Sequence, residues 1–297
     1  MTWKLTLPCT KAEAEQLGSD ISPLALMDEP PTLMTSEETE EDWRLDAYFE
    51  AKPGKSEIAA LQALAPSAAG AKPVIEEIAD QDWVTLSQQG LEPIQAGRFY
   101  VHTPAHRGSA PDGAVALEID AGRAFGTGQH ETTTGCLIAL DRLKREGFVA
   151  RNLVDVGTGT GLLAFAGLRL WPGARAMASD IDPIAVDVTR ENAAINAVRL
   201  GRGPGALDTV TAPGLDHARL KARAPYDLII ANILAGPLIT LAPSLSAALA
   251  PGGRLILAGL LDSQAARVQA AYRREGLRMR FTISRGDWPT LVLRRPR

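Results

Sequence analysis

The chain has 297 residues, 45% hydrophobic and 22% charged, an ordinary globular composition with length enough for two domains. No apolar run approaches the ~18 residues a membrane span needs, and the first residues lack the basic-then-apolar layout of a secretion signal. Cys9 and Cys136 are far apart in sequence, which excludes a disulfide framework or a zinc spacing, so a reducing cytoplasm is expected.

The net charge of −4 conceals a split. Residues 1–80 hold 6 Lys+Arg against 16 Asp+Glu, leaving 25 against 19 in the remainder. An acidic N-terminal part repels phosphate backbones and attracts basic proteins, although a charge run is also read as a solvated face. The histidines at 102, 106, 130 and 217 include no helix-spaced pair beside a carboxylate, so no metal is expected.

In chain order, Trp3–Leu7 reads as a strand and Lys11–Leu17 as a helix start. The Glu/Pro/Thr-rich piece Asp28–Asp42 reads as a turn and a strand edge. Trp43–Glu50 alternates like a half-buried strand, Lys55–Leu64 is helical, and Val74–Ala79 is a last strand. The order βαββαβ predicts a small ferredoxin-like α+β domain over residues 1–80. Residues 81–112 read as a linker, with a short helix at Asp82–Gln89 ended by Gly90 and Pro93, and a strand at Arg98–His102. Ala114–Ile119 is a further strand.

From Glu131 a helix leads into alternating strands and helices. Core strands are predicted at Leu153–Val156, Ala176–Asp180, Asp208–Thr211, Leu228–Ala231 and Arg254–Ala258. Helices are predicted at Leu162–Leu170, Pro183–Ala197, Leu238–Leu249 and Ser263–Glu275. Met279–Ser284 and Thr290–Arg294 form a closing hairpin. Residues 113–297 are therefore expected to be a doubly wound, mostly parallel seven-stranded α/β sheet with a terminal antiparallel hairpin.

Four motifs carry chemistry. In Val154-Asp155-Val156-Gly157-Thr158-Gly159-Thr160-Gly161 an apolar strand runs into glycines that allow φ > 0 and leave the strand end open to a ligand. The spacing G-x-G-x-G differs from the G-x-G-x-x-G of a pyrophosphate site and suits a nucleoside without a diphosphate. Asp180, twenty-three residues beyond Gly157, ends the next strand, where a carboxylate accepts hydrogen bonds from ribose hydroxyls. Asp182 followed by Pro183 reads as a helix N-cap. After the fourth core strand, Asn232 offers a neutral carbonyl oxygen to an amine, or else ends the strand in an Asx turn. Before the first core strand, the Gly/Thr loop from Ala124 to Thr133 enters a helix; His130 in it reads equally as a general base or as a loop-ordering group.

Together, AFGTGQHETT, VDVGTGTGLLA, SDIDPIAV and ANILAGPL resemble the bacterial methyltransferases that act on large-subunit ribosomal protein eleven, over roughly residues 82–297. The resemblance implies an N-terminal substrate-recognition domain, a linker, and a class I methyltransferase domain using S-adenosylmethionine. It implies that Thr133, Gly157, Gly159, Asp180 and Asn232 contact that cofactor, with Phe125, Thr127 and Gly128 in a loop closing over it. It implies methylation of the N-terminal α-amine and lysine amines of a basic ribosomal protein. Asn232 is then expected to be the catalytic residue, orienting that amine through its carbonyl, while the acidic N-terminal part argues against direct nucleic-acid binding and the lack of an apolar span against a membrane. Departures are slight: threonines occupy the glycine motif where relatives often carry Cys or Ser, and Glu131 replaces a common proline. Competing readings are an NAD-dependent oxidoreductase, which the glycine spacing and closing hairpin disfavour; a methyltransferase for RNA or a small molecule; and a non-catalytic cofactor-binding scaffold.

Overall fold

The computed structural model describes residues 2–17, 31–37, 42–49, 51–68, 70–78, 93–119 and 130–297. The helix expected at Asp82–Gln89 and the loop residues Phe125, Thr127 and Gly128 lie outside them. The chain divides into two compact units, Met1–Ser87 and Gln88–Arg297.

In the first unit, β1 (Thr2–Thr10), α1 (Lys11–Leu17), β2 (Thr32–Glu37), β3 (Asp42–Phe49), α2 (Lys55–Leu64) and β4 (Val74–Ile78) follow one another. The sheet order is β2-β3-β1-β4 with every pair antiparallel. Alternation directs Leu5, Leu7, Leu45 and Ala47 to one face, where they pack with Ala14 and Leu61 of the helices. The opposite face carries Lys4, Thr6 and Arg44 around Asp46, which all three contact.

The second unit begins with a three-stranded sheet, β5 (Ile94–Ala96), β6 (Phe99–His102) and β7 (Val115–Glu118). β6 and β7 fall where strands were expected at Arg98–His102 and Ala114–Ile119, whereas β5, antiparallel to β6, was not expected. Phe99 and Val101 bury against the same core as the helix that follows, α3 (His130–Arg145). Next come β8 (Asn152–Val156), α4 (Leu162–Leu170), β9 (Arg175–Asp180), α5 (Pro183–Ile195), β10 (Arg199–Leu200), β11 (Ala206–Thr211), α6 (Ala218–Arg223), β12 (Tyr226–Asn232), α7 (Ala235–Thr240), α8 (Ala242–Ala248), β13 (Leu249–Ala258), α9 (Asp262–Arg274), β14 (Arg278–Arg285) and β15 (Trp288–Arg294).

The main sheet runs β10-β11-β9-β8-β12-β13-β15-β14. Strands β8 to β13 pair in parallel, and β15 and β14 add antiparallel at one edge. Seven strands were expected and eight are present. The extra one, Arg199–Leu200, is two residues long and forms where the chain leaving α5 meets β11, with the Gly201 N–H donating to Leu207 O at 2.8 Å. A pairing this short leaves no periodicity to read.

Helices cover both faces, so the inner strands are apolar throughout. In β12, Leu228 and Ile230 enter one core while Tyr226, Ile229 and Ala231 enter the other. The single helix expected at Leu238–Leu249 is instead two, α7 and α8. Pro243 has no N–H and its ring collides with the carbonyl of Ile239, so the first helix stops and a second starts with proline in its opening turn. Leu249 belongs to β13.

Candidate active site

Strand order reverses between β8 and β12: the chain moves outward from β8 through β9 to β11, then returns to pair β12 on the other side of β8. Such a switch point opens a crevice beyond the carboxyl ends of the strands. The residues that follow β8, β9 and β12 meet there.

The turn after β8 has Gly157 at φ +71°, Gly159 at +54° and Gly161 at +86°. Its N–H groups at Gly157 and Thr158 donate to Ser179 O at 2.8 and 3.0 Å. The Gly159 N–H donates to Asp180 Oδ2 at 2.9 Å, and the Asp182 N–H to Asp180 Oδ1 at 3.1 Å. Asp180 is thereby fixed by two backbone donors, with lone pairs remaining for a ligand's hydroxyls. Asp182 caps α5 as expected, accepting from the Ile184 N–H at 2.8 Å.

Asn232 ends β12, one residue past Ala231, which is paired with Val156 at the mouth of the glycine turn. Its neighbour Ile233 packs so closely on the turn that a Cβ at Gly157 would fall 2.2 Å from Ile233 Cγ2. Gly157, Gly159, Asp180 and Asn232 are therefore brought together. Thr133 lies in the first turn of α3, buried, and among the described residues no hydrogen bond joins it to the other four.

Several groups had no assigned role in the sequence. Asp155, one residue inside β8 from the turn, is 1% exposed; its Oδ2 accepts from Thr158 Oγ1 at 2.8 Å and from the Ala164 N–H at 3.2 Å. Its Oδ1 has no partner among the described residues. Burial pushes this carboxyl up to about 7, the two hydrogen bonds and the nearby Asp180 acting as smaller influences. From α5, Thr189 Oγ1 donates to Gly159 O at 2.8 Å and Asn192 Nδ2 to Thr160 O at 3.1 Å. The available signal was a polar pair, Thr189 and Asn192, on a helix face that alternation assigns to the core. Ile181 and Leu234, which follow Asp180 and Asn232 closely, are 72% and 73% exposed and put apolar surface on the rim of the crevice.

The crevice fits an adenosyl sulfonium cofactor. The Gly159 position is open, with nothing within 4 Å of where a Cβ would stand, and the carboxylate beside it is anchored by backbone rather than spent on another side chain. Among the described residues no cluster suited to a metal ion occurs, and no helix is long and apolar enough to cross a membrane.

A parallel sheet with this switch point, a closing antiparallel pair and an acidic residue gripping the glycine turn defines a class I S-adenosylmethionine-dependent methyltransferase. Comparison with known proteins narrows this. The sequence pattern of the family described as "Ribosomal protein L11 methyltransferase (PrmA)" matches residues 11–296. A ribosomal protein L11 methyltransferase of Rhizobium etli is 42% identical over 296 residues, 99% of each chain. That of Brucella suis is 48% identical over 219 residues, 74% of each. The crystal structure of a ribosomal protein L11 methylase from Lactobacillus delbrueckii subsp. bulgaricus covers 70% of this chain and 99% of its own, with a TM-score of 0.58 and 26% identity. The chain belongs to the ribosomal protein L11 methyltransferase family. It is an enzyme that methylates a large-subunit ribosomal protein.

Proposed function

We propose that the methyl groups go to amines, the N-terminal α-amine and lysine side chains of the ribosomal protein, and that Asn232 orients the attacking nitrogen. The observation that carries this reading is Asn232 itself: a neutral side-chain amide at the switch point, beside the glycine turn and Asp180, with no hydrogen-bond partner among the described residues. S-adenosylmethionine, when bound, supplies an electrophilic methyl group on a sulfonium. In this reading Gly157 and Gly159 leave room for it, Asp180 accepts from its ribose hydroxyls, and Thr133 contacts it from α3. Phe125, Thr127 and Gly128 close over it.

An amine attacks only when neutral. For a lysine of pKa ~10.4 that costs about 4.6 kcal/mol at pH 7, and for an α-amine near ~7.7–8.0 about 1–1.4 kcal/mol. A desolvated site beside a positive charge lowers the amine's pKa. The Asn232 carbonyl accepts a hydrogen bond from the neutral amine and aligns it within the ~3–3.5 Å near-attack range. A carboxylate in that position would stabilise the ammonium form and oppose the reaction.

The N-terminal unit, with its antiparallel β2-β3-β1-β4 order and helices on one face, supports a ferredoxin-like recognition module. Its acidic balance suits a basic partner, and a ribosomal substrate supports a cytoplasmic place of work. For Asn232→Ala, cofactor affinity is expected within a few-fold of wild type while turnover falls about a hundredfold. Unchanged turnover removes Asn232 from the mechanism. Tritiated-donor incubation with purified ribosomal proteins, followed by mass mapping, is expected to label α- and ε-nitrogens of one large-subunit protein; label on other atoms rejects the amine assignment.

A further inference from the structure

Towards the opposite end of the strands, ~13 Å from the level of Asn232 by the four-residue step from Arg254 to Ala258, the main sheet carries a charge arrangement that the methyl-transfer site does not use. Strand register sets Arg254 of β13 beside Arg294 of β15, and Arg294 beside Arg278 of β14. Three guanidinium groups thus share one rung across three strands. Alternation puts Arg254 on the face of Ile256 and Arg294 on that of Val292, the face covered by α3. Like charges directly opposite in a sheet are destabilising, so the rung calls for a counter-charge.

The described residues supply little. Glu146, just past α3, already accepts from both Arg142 and Arg280. Asp227 Oδ2 accepts from the N–H groups of Arg151 and Asn152, each at 2.9 Å. No ion pair within the described residues engages Arg278, Arg294 or Arg297. Arg254 lies over the Phe148 ring, 5.1 Å from its centroid. It donates through Nη1 to backbone carbonyls at Gly252 and Gly253, while its Nε is buried with no partner. Burial, with Arg280, Arg294 and Arg297 close by, holds this guanidinium below its ordinary value. In front of it opens a cavity of about 380 Å³ lined by Phe148, Arg254, Arg280 and Arg297 together with the carboxylates of Glu146 and Asp227, both already engaged.

We propose that this cavity is a binding site for an oxyanion of the phosphate class, held by Arg254 and Arg297 with Arg280 and Arg294 beside them. A tetrahedral oxyanion accepts from forked guanidinium donors at several oxygens at once. It would offset the repulsion among the arginines of the rung. Two sources share that chemistry, a free phosphate or pyrophosphate and the phosphodiester backbone of RNA. The net positive balance of residues 81–297 is compatible with either. The site does not depend on which amines are methylated.

Calorimetric titration of the full chain with pyrophosphate, and separately with a short single-stranded RNA, at constant ionic strength set by chloride, tests this. Binding of at least one probe is expected, weakened about tenfold or more by Arg254→Gln and by Arg297→Gln. Arg297 is exposed, so its replacement serves should the Arg254 variant fold poorly, and methyl transfer by Arg297→Gln is expected to match wild type. Arg-dependent binding of pyrophosphate alone identifies a free phosphate as the ligand, and tighter binding of RNA identifies its backbone. If neither probe binds beyond the chloride control, or the folded variants bind as wild type does, the site does not exist.

Discussion

Replacing Asp155 by Asn keeps the shape of the side chain and its acceptor oxygen while removing the charge. In the folded chain the carboxyl is raised from 3.8 to about 7, chiefly because burial penalises the ionised form. Each tenfold change in proton affinity is worth ~1.36 kcal/mol, so the ionised folded state carries a penalty of about 4 kcal/mol relative to the unfolded chain. The sign follows from the direction of the change. Below about pH 4 the group is protonated in both states and costs nothing. As the pH rises the unfolded chain ionises first, and stability is lost until the buried carboxyl ionises too, near pH 7. The Asp155→Asn variant has no such titration. Urea unfolding of both proteins between about pH 4.5 and 8 is expected to show the difference in stability moving in favour of the variant by about 3 kcal/mol. Groups that do not interact with Asp155 cancel in that difference. A difference that stays constant within about 1 kcal/mol across the range would refute a buried, desolvated Asp155.

Gly157→Ala places a methyl group 2.2 Å from Ile233 Cγ2 at a φ of +71° that L side chains rarely adopt, so the turn or the Ile233 side chain packed on it must move. Cofactor affinity, read by calorimetry, is expected to drop tenfold or more, about 1.4 kcal/mol, and affinity equal to wild type would show that the turn is not the binding element. Burial pushes the thiols of both Cys9 and Cys136 up. Because the thiolate is the reactive form, a thiol reagent at about pH 8 is expected to modify neither until the chain is unfolded; rapid reaction of the native protein contradicts their burial.

Much of this was legible in the sequence because the main sheet is built on strong local signals. β8, β9 and β12 are short apolar runs bounded by glycine or acidic residues, and Asp182-Pro183 marks the start of α5 unambiguously. The elements that escaped have weak periodicity of their own. β10 is two residues long, β5 is three, and α6 is six residues with only Leu220 buried. The break between α7 and α8 is hidden because an apolar helical pattern continues through Pro243, and the proline's steric effect outweighs that pattern. Gly157, Asp180 and Asn232 were singled out by their strand-end positions, a local motif, and the structure brings them to one crevice. Asp155 was passed over because what distinguishes it is the loss of solvent, a property of the packed molecule rather than of its neighbours in the chain.

That last difference bears on how the glycine turn works. Glycines permit positive φ but also permit everything else, at the highest entropic cost of any residue. What selects one conformation is a set of polar side chains contributed by three other segments. Asp180 holds the Gly159 N–H, Thr189 the Gly159 carbonyl, Asn192 the Thr160 carbonyl, and Asp155 both the Thr158 hydroxyl and the Ala164 N–H that opens α4. A neutral hydrogen bond contributes about 0.5–1.5 kcal/mol net, so together these offset several residues' worth of backbone ordering. Asp180 fixes the turn through two backbone donors and keeps lone pairs free, which the proposed function assigns to a ribose. The crevice is accordingly shaped before any ligand arrives, and the motif seen in the sequence is the flexible half of a device whose rigid half is spread over β8, β9 and α5.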